Sequence, residues 1–234
     1  MSRQRGFTII EMLVVISIIT LLISILLPSL GKSRETARRS ICASNMRQAA
    51  IGIITIADQN QGTLPSGRRN IVGGYAYEHC IWVSDKWHDD VKAAAGGSDA
   101  LFECVNFVGG FGYQNQYGWV IGYNYLGNHP RMNQLGYFKS PVKMHDDPGS
   151  VLYTDLNNFT PNGWSFVAHT SDGALNVGGG PRYYNTSTFG TKPPANRSQG
   201  GNVGLLDTSV NFKPIGLMKE YDTAESPGAY PCFW

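Results

Sequence analysis

The chain is short of charge. Asp, Glu, Lys and Arg make up 15% of its 234 residues, and the formal net charge is only +2. No basic stripe or acidic block is present, which argues against a nucleic-acid footprint and against a strongly charged partner. Catalytic signatures are missing as well: there is no G-x-S-x-G, no H-E-x-x-H and no Walker loop. No clean repeat of 20–50 residues recurs, so a solenoid or propeller is not indicated. The single long apolar run is not followed by an Ala-x-Ala pattern, which speaks against a cleaved secretory signal peptide.

Glycine, by contrast, is abundant at 28 residues, and Tyr, at 12, is the commonest aromatic. That composition suits an ordered, loop-rich, strand-leaning domain. The apolar run itself extends from Phe7 to Leu27. As a helix it spans roughly 30 Å, about one hydrocarbon core, and reads as a retained transmembrane segment. Arg3 and Arg5 precede it; Lys32, Arg34, Arg38 and Arg39 follow it. Basic residues on both flanks leave orientation open on charge alone. One acid, Glu11, sits inside the run, where a charge costs about 2.5–3.5 kcal/mol at mid-bilayer and calls for a partner.

Pro28 interrupts the run without ending it. Beyond it, Cys42, Met46, Ala49 or Ala50, Ile53 and Ala57 recur at three-to-four spacing, the mark of an amphipathic face. One long helix is therefore expected from about Phe7 to Ala57, kinked near Pro28 and stopped by "NQGTLPSG". Residues 58–234 read as short strands among long loops. The candidates are Tyr117–Gly127, Ser150–Leu156 and Asn202–Phe212, the last with a hairpin signal at Asp207-Thr208-Ser209. Residues 178–201 and 222–234 read as irregular. The fold class expected is α+β, a long helix packed on a β-rich head.

"RG-FTIIE" resembles the prepilin-type signal of type IV pilins and type II secretion pseudopilins. Gly6, Phe7 and Glu11 match that signal position by position, and Pro28 falls at the usual helix-breaking proline. The resemblance implies cleavage after Gly6 by a prepilin peptidase and methylation of the new terminus at Phe7. It implies that Glu11 pairs with the terminal amine of a neighbouring subunit during assembly. It also implies a leader on the cytoplasmic side, an inner-membrane helix and a periplasmic head. The parts are then a leader (residues 1–6), a stem helix (7–57, transmembrane over 7–27) and a head (58–234). Expected partners are the peptidase, other pilin-like subunits, an inner-membrane assembly platform with its ATPase, and the membrane. Expected activity is structural rather than enzymatic, with no cofactor, no metal and no nucleic acid.

"ARRSICASNMRQ" (Ala37–Gln48) further resembles a stem signature of pseudopilin-like proteins, and "GTLP" (Gly62–Pro65) sits where such stems enter the head. Those proteins often carry His, nine residues, then Asp-Gly; here the frame holds Arg197 and Asp207-Thr208. An extracytoplasmic head makes two disulfides from Cys42, Cys80, Cys104 and Cys232 an expectation. Four cysteines allow three pairings; the resemblance favours Cys42–Cys104 with Cys80–Cys232.

Asp207 reads as a turn residue whose side chain accepts from N–H groups two residues on. Thr208 in place of Gly argues for a turn without positive φ there. His79, His88, Asp89 and Asp90, and likewise His145, Asp146 and Asp147, read as solvated loop polars rather than ligands. The sequons at Asn158, Asn185 and Asn196 read as chance. The aromatics read as packing, with a glycan- or substrate-binding head of a minor subunit as the alternative, and a membrane-anchored enzyme behind that.

Overall fold

A computed structural model describes residues 8–70, 76–77, 80–106, 112–114, 118–136, 138–159, 165–170, 173–177, 198–222 and 231–234. Gly6, Phe7, His79, Asn185, Asn196 and Arg197 lie outside the described residues.

Helix α1 runs from Ile9 to Gln59, 51 residues with Pro28 inside it. At 1.5 Å per residue it is roughly 77 Å long. Its first half, Ile9 to Leu30, exposes every large apolar side chain and is covered by none of the head's described residues. The few hydroxyls there are spent on the helix's own backbone: Ser17 donates to the Leu13 carbonyl, Thr20 to Ile16 and Ser24 to Leu21, each at 2.7 Å. A hydroxyl satisfied in this way brings no unmet polar group into hydrocarbon. This segment is long and apolar enough to cross a membrane.

The second half is amphipathic, and the stripe expected there is the buried one. Cys42, Met46, Ala49, Ala50, Ile53 and Ala57 are all buried, joined by Glu35 and Ile56. Burying a side chain such as Met46 or Ile53 contributes about 1.5–3 kcal/mol. The helix ends as the turn residues begin, with the Asn60 amide donating to the Ala57 carbonyl at 3.0 Å.

Among the described residues, nine strands form one antiparallel sheet against this stripe. They are β6 (Tyr123–Tyr125), β7 (Val151–Asp155), β8 (Asn157–Phe159), β9 (Ser165–Thr170), β10 (Gly173–Val177), β11 (Ser198–Leu205), β12 (Val210–Pro214), β13 (Glu220–Asp222) and β14 (Pro231–Phe233). The main order is β13-β14-β8-β9-β11-β7-β6, with β10 beside β9 and β12 beside β11. Two small sheets complete the described strands: β1 (Arg69–Asn70) with β2 (Ala76–Tyr77), and β3 (Trp82–Val83) with β5 (Gly118–Val120) and β4 (Gly112–Gln114). The helices α2 (Asp85–Ala94) and α3 (Pro130–Leu135) are short. The architecture is α+β: a long helix, apolar at its start, packed on a sheet-rich head.

The structure departs from the sequence reading at four places. Asp85–Ala94 is a helix, capped by Ser84, so His88, Asp89 and Asp90 do not lie in a loop, and His88 is buried against Trp119 at 3.6 Å between ring centroids. A mostly polar helix escapes a periodicity search when only Trp87, His88 and Val91 turn inward. Helices α1 and α2 touch at Gly52, where a Cβ would stand 2.9 Å from that of Ala95. Secondly, Tyr117–Gly127 is not one run. Its described part splits into β5 and β6, in different sheets, bent at Gly122, whose missing side chain admits the Cys104 amide within 2.8 Å of a Cβ position. Thirdly, the two stretches read as irregular carry strand where they are described: residues 198–201 open β11, and at the end of the chain β14 pairs with β13 while Trp234 stacks on Tyr221 at 4.2 Å.

The fourth departure is the turn joining β11 to β12. The Ser209 amide donates to Asp207 Oδ1 at 2.8 Å, as an Asp-initiated turn requires. The Ser209 hydroxyl foremost, and then that amide bond, hold the Asp207 carboxyl below its usual range. But Thr208 adopts φ +68°, the left-handed conformation that a β-branched residue avoids. The local turn keeps the geometry that Gly would supply and tolerates Thr in it. Thr208→Gly should therefore raise stability by about 0.5–1 kcal/mol, the relief of strain exceeding the entropy glycine adds to the unfolded chain. Urea unfolding reads this as a higher midpoint at unchanged slope; a lower midpoint contradicts it.

Candidate functional site

Two places carry chemistry. The first is the start of α1. Thr8 is its N-cap: the Glu11 amide donates to Thr8 Oγ1 at 3.2 Å, and Glu11 Oε2 accepts from the Thr8 amide and hydroxyl, each at 2.8 Å. This is a reciprocal capping box, which satisfies donors that a helix start leaves open. Glu11 is thus held by its own chain at the end of an exposed apolar helix. Pro28 lies farther along the same helix and is passed without a break. Its missing N–H removes one intrahelical bond.

The second place is the seam between stem and head. Cys42 and Glu35 come from α1, Cys104 and Asn106 from the loop after the 3-10 turn Asp99–Phe102, Asp155 from the end of β7, and His169 from β9. His169 stands between two carboxylates, its Nδ1 at 2.6 Å from Glu35 Oε1 and its Nε2 at 3.1 Å from Asp155 Oδ2. All three residues are buried. Asn106 Nδ2 donates to both Glu35 oxygens at 3.2 Å, and the Asn202 amide donates to Asp155 Oδ2 at 2.6 Å. Arg39 approaches Glu35 at 3.7 Å and lays its guanidinium 4.3 Å above the Phe212 ring.

Burial by itself would lower the His169 pKa. Its bonds to Asp155, Cys42 and Glu35 prevail and raise it to about 11, so the ring is an imidazolium shared by two anions. Burial pushes Glu35 upward, but His169 foremost, with Asn106 and Arg39, holds it below the usual carboxylate range.

The sulfurs of Cys42 and Cys104 are 3.1 Å apart, a thiol contact rather than a bond of about 2.0 Å. That contact draws Cys42 down to about 6 against its burial and pushes Cys104 well up. Cys80 and Cys232 are both buried in one apolar cluster with Leu126, Met132, Phe138 and Trp234. Asp207 lies elsewhere, at the exposed tip of its hairpin, away from the buried Asp155. His145 and Asp147 are exposed, and Asp146 is spent on the Val142 and Lys143 amides.

Residues 1–27 match the prokaryotic N-terminal methylation motif. The chain carries a prepilin-type signal. That is the signal of type IV pilins and pseudopilins, and it points to a structural protein. The motif ends at Leu27, so its span takes in Glu11 and the exposed apolar half of α1, a candidate membrane anchor. No curated protein and no solved structure matches the chain.

Reading the sequence missed Glu35, Asp155 and His169 as a cluster. Glu35 had a signal: stepping back from Cys42 by three and then four residues reaches Arg39 and Glu35 on the same stripe. His169 had none, because its bond to Glu35 spans 134 positions.

Proposed function

We propose that this protein is a filament subunit, a pilin or pseudopilin of a type IV pilus-like or type II secretion assembly. What carries the reading is one continuous feature: a prepilin-type methylation motif over residues 1–27 that opens an exposed apolar helix, whose far half is the core of a folded head. Leader residues 1–6 face the cytoplasm, residues 7–27 span the inner membrane, and the head from residue 58 onward lies in the periplasm. Cleavage between Gly6 and Phe7 frees an amine, and helices then bundle by their apolar surfaces. Glu11 meets the amine of a neighbour there, exchanging its bonds to Thr8 for an intersubunit pair. The partners are the peptidase, like subunits and an inner-membrane platform. No step needs a cofactor or a reaction performed by the head.

Intact mass of the protein from peptidase-bearing cells tests this directly. The expected result is loss of Met1–Gly6 and gain of one methyl group, with the processed chain recovered in sheared filaments. A mature chain still beginning at Met1 overturns the reading.

Outside the cytosol, Cys42–Cys104 and Cys80–Cys232 are the disulfides this reading implies. Each dithiol passes two electrons and two protons to an oxidised dithiol–disulfide carrier. A cross-link of this kind typically adds about 2–4 kcal/mol. Non-reducing peptide mapping should return those two linked pairs; four alkylatable thiols in the exported protein contradict them.

A further inference from the structure

We infer that the reduced protein binds one zinc-class divalent ion at the stem–head seam, through Cys42, Cys104 and His169, with Asp155, 3.1 Å from His169 Nε2, moving in as the fourth donor when the ion is bound. The two sulfurs and one ring nitrogen of His169 all lie within 4.8 Å of one another, and all three residues are buried. A tetrahedral zinc site with thiolate ligands at about 2.3 Å separates its sulfurs by about 3.8 Å. The 3.1 Å contact needs only a small opening to admit the ion.

A second observation points the same way. Asp155 is fully buried, and its Oδ1 has no hydrogen-bond partner, while its Oδ2 holds His169 and the Asn202 amide. A buried carboxylate oxygen left bare is costly unless something positive meets it. Glu35 supplies what metal-bound histidines ordinarily have, a carboxylate on the other ring nitrogen: Oε1 lies 2.6 Å from Nδ1 and leaves Nε2 as the ligand atom. Asn106 in turn fixes Glu35.

The donor set decides the class of ion. Two thiolates with an imidazole suit zinc and its soft or borderline neighbours, not calcium or magnesium, which take oxygen. Binding takes the Nε2 proton from the imidazolium and the thiol proton of Cys104, and it keeps Cys42 as the thiolate, so the protons released pass to solvent. The ligands are all buried, so the ion is structural, clipping α1 to β9 and to the Cys104 loop. Oxidation to the Cys42–Cys104 disulfide removes both thiolates, so ion and disulfide exclude each other. The inference stands apart from the filament reading and concerns the seam alone.

Cobalt(II) is the probe, titrated anaerobically into the reduced full-length chain in detergent. The expected result is one equivalent bound, with a thiolate-to-cobalt charge-transfer band and the strong visible absorption of a tetrahedral site. Zinc should displace it. His169→Gln should weaken binding at least tenfold, Cys42→Ser or Cys104→Ser should cut the band by about half or more, the double variant should abolish it, and Cys80→Ser should leave it intact. Mild oxidation of the unaltered chain, which needs no variant to fold, should erase the band, and thiol reductant should restore it. A reduced chain with native circular dichroism and no band overturns the inference. So does a band undiminished in Cys42→Ser, one that survives the double variant, or one that survives oxidation.

Discussion

His169→Ala lowers the stability of the folded chain by about 3–5 kcal/mol, the scale on which removing one partner of a buried ion pair is felt. The reason is what remains. Glu35 and Asp155 are both buried, and His169 is the cation between them, at 2.6 Å from one and 3.1 Å from the other. Without it, two carboxylates share a buried seam with only amide donors and the more distant Arg39 to hold them. Chemical denaturation in a fixed detergent measures the loss. A second comparison separates charge from packing. In a Glu35→Gln background one anion is already gone, so the added cost of His169→Ala should fall well below its cost in the parent. Equal costs in both backgrounds would mean that His169 acts by volume alone.

The second large effect is on assembly. Glu11→Val should leave the protein in the membrane fraction yet cut its entry into filaments by about tenfold or more. Insertion does not suffer because the change removes a group whose cost at mid-bilayer is about 2.5–3.5 kcal/mol. The helix start loses its capping box with Thr8, but a start outside the folded head does not endanger the head. What the variant lacks is the anion offered to a neighbour. A hydrogen bond to a charged group is worth about 1.5–3 kcal/mol, and 1.4 kcal/mol is one decade in an equilibrium. Quantifying sheared filaments against membrane-bound subunit gives the ratio. Normal incorporation would remove Glu11 from the assembly step.

The stem stripe was legible because helical periodicity survives any tertiary context: Cys42, Met46, Ala49, Ala50, Ile53 and Ala57 are spaced for one face, and that face is the buried one. The turn at Asp207 was legible in its side-chain bond and not in its backbone. Local sequence says that Thr208 disfavours positive φ; the strands on either side impose it. Helix α2 was hidden by its polarity. The seam was hidden for a different reason. Glu35, Asp155 and His169 are ordinary polar residues in their own neighbourhoods, and only the folding of two distant segments, β7 and β9, onto α1 makes them a charged cluster. Sequence patterns report which face of an element turns inward; they do not report which inward-facing groups meet.

Helix α1 has no loop between its two halves. Fifty-one residues pass from bare apolar surface to the centre of the head in one unbroken helix, with Pro28 inside it. A pull on the outer half therefore has no slack linker to take it up. The load runs straight into the stripe from Glu35 to Ala57, where it is borne by packing along α2 and the sheet and by the side chains of the seam. Severing the chain after Gln59 would not free a head from its tether; it would draw the central beam out of the building.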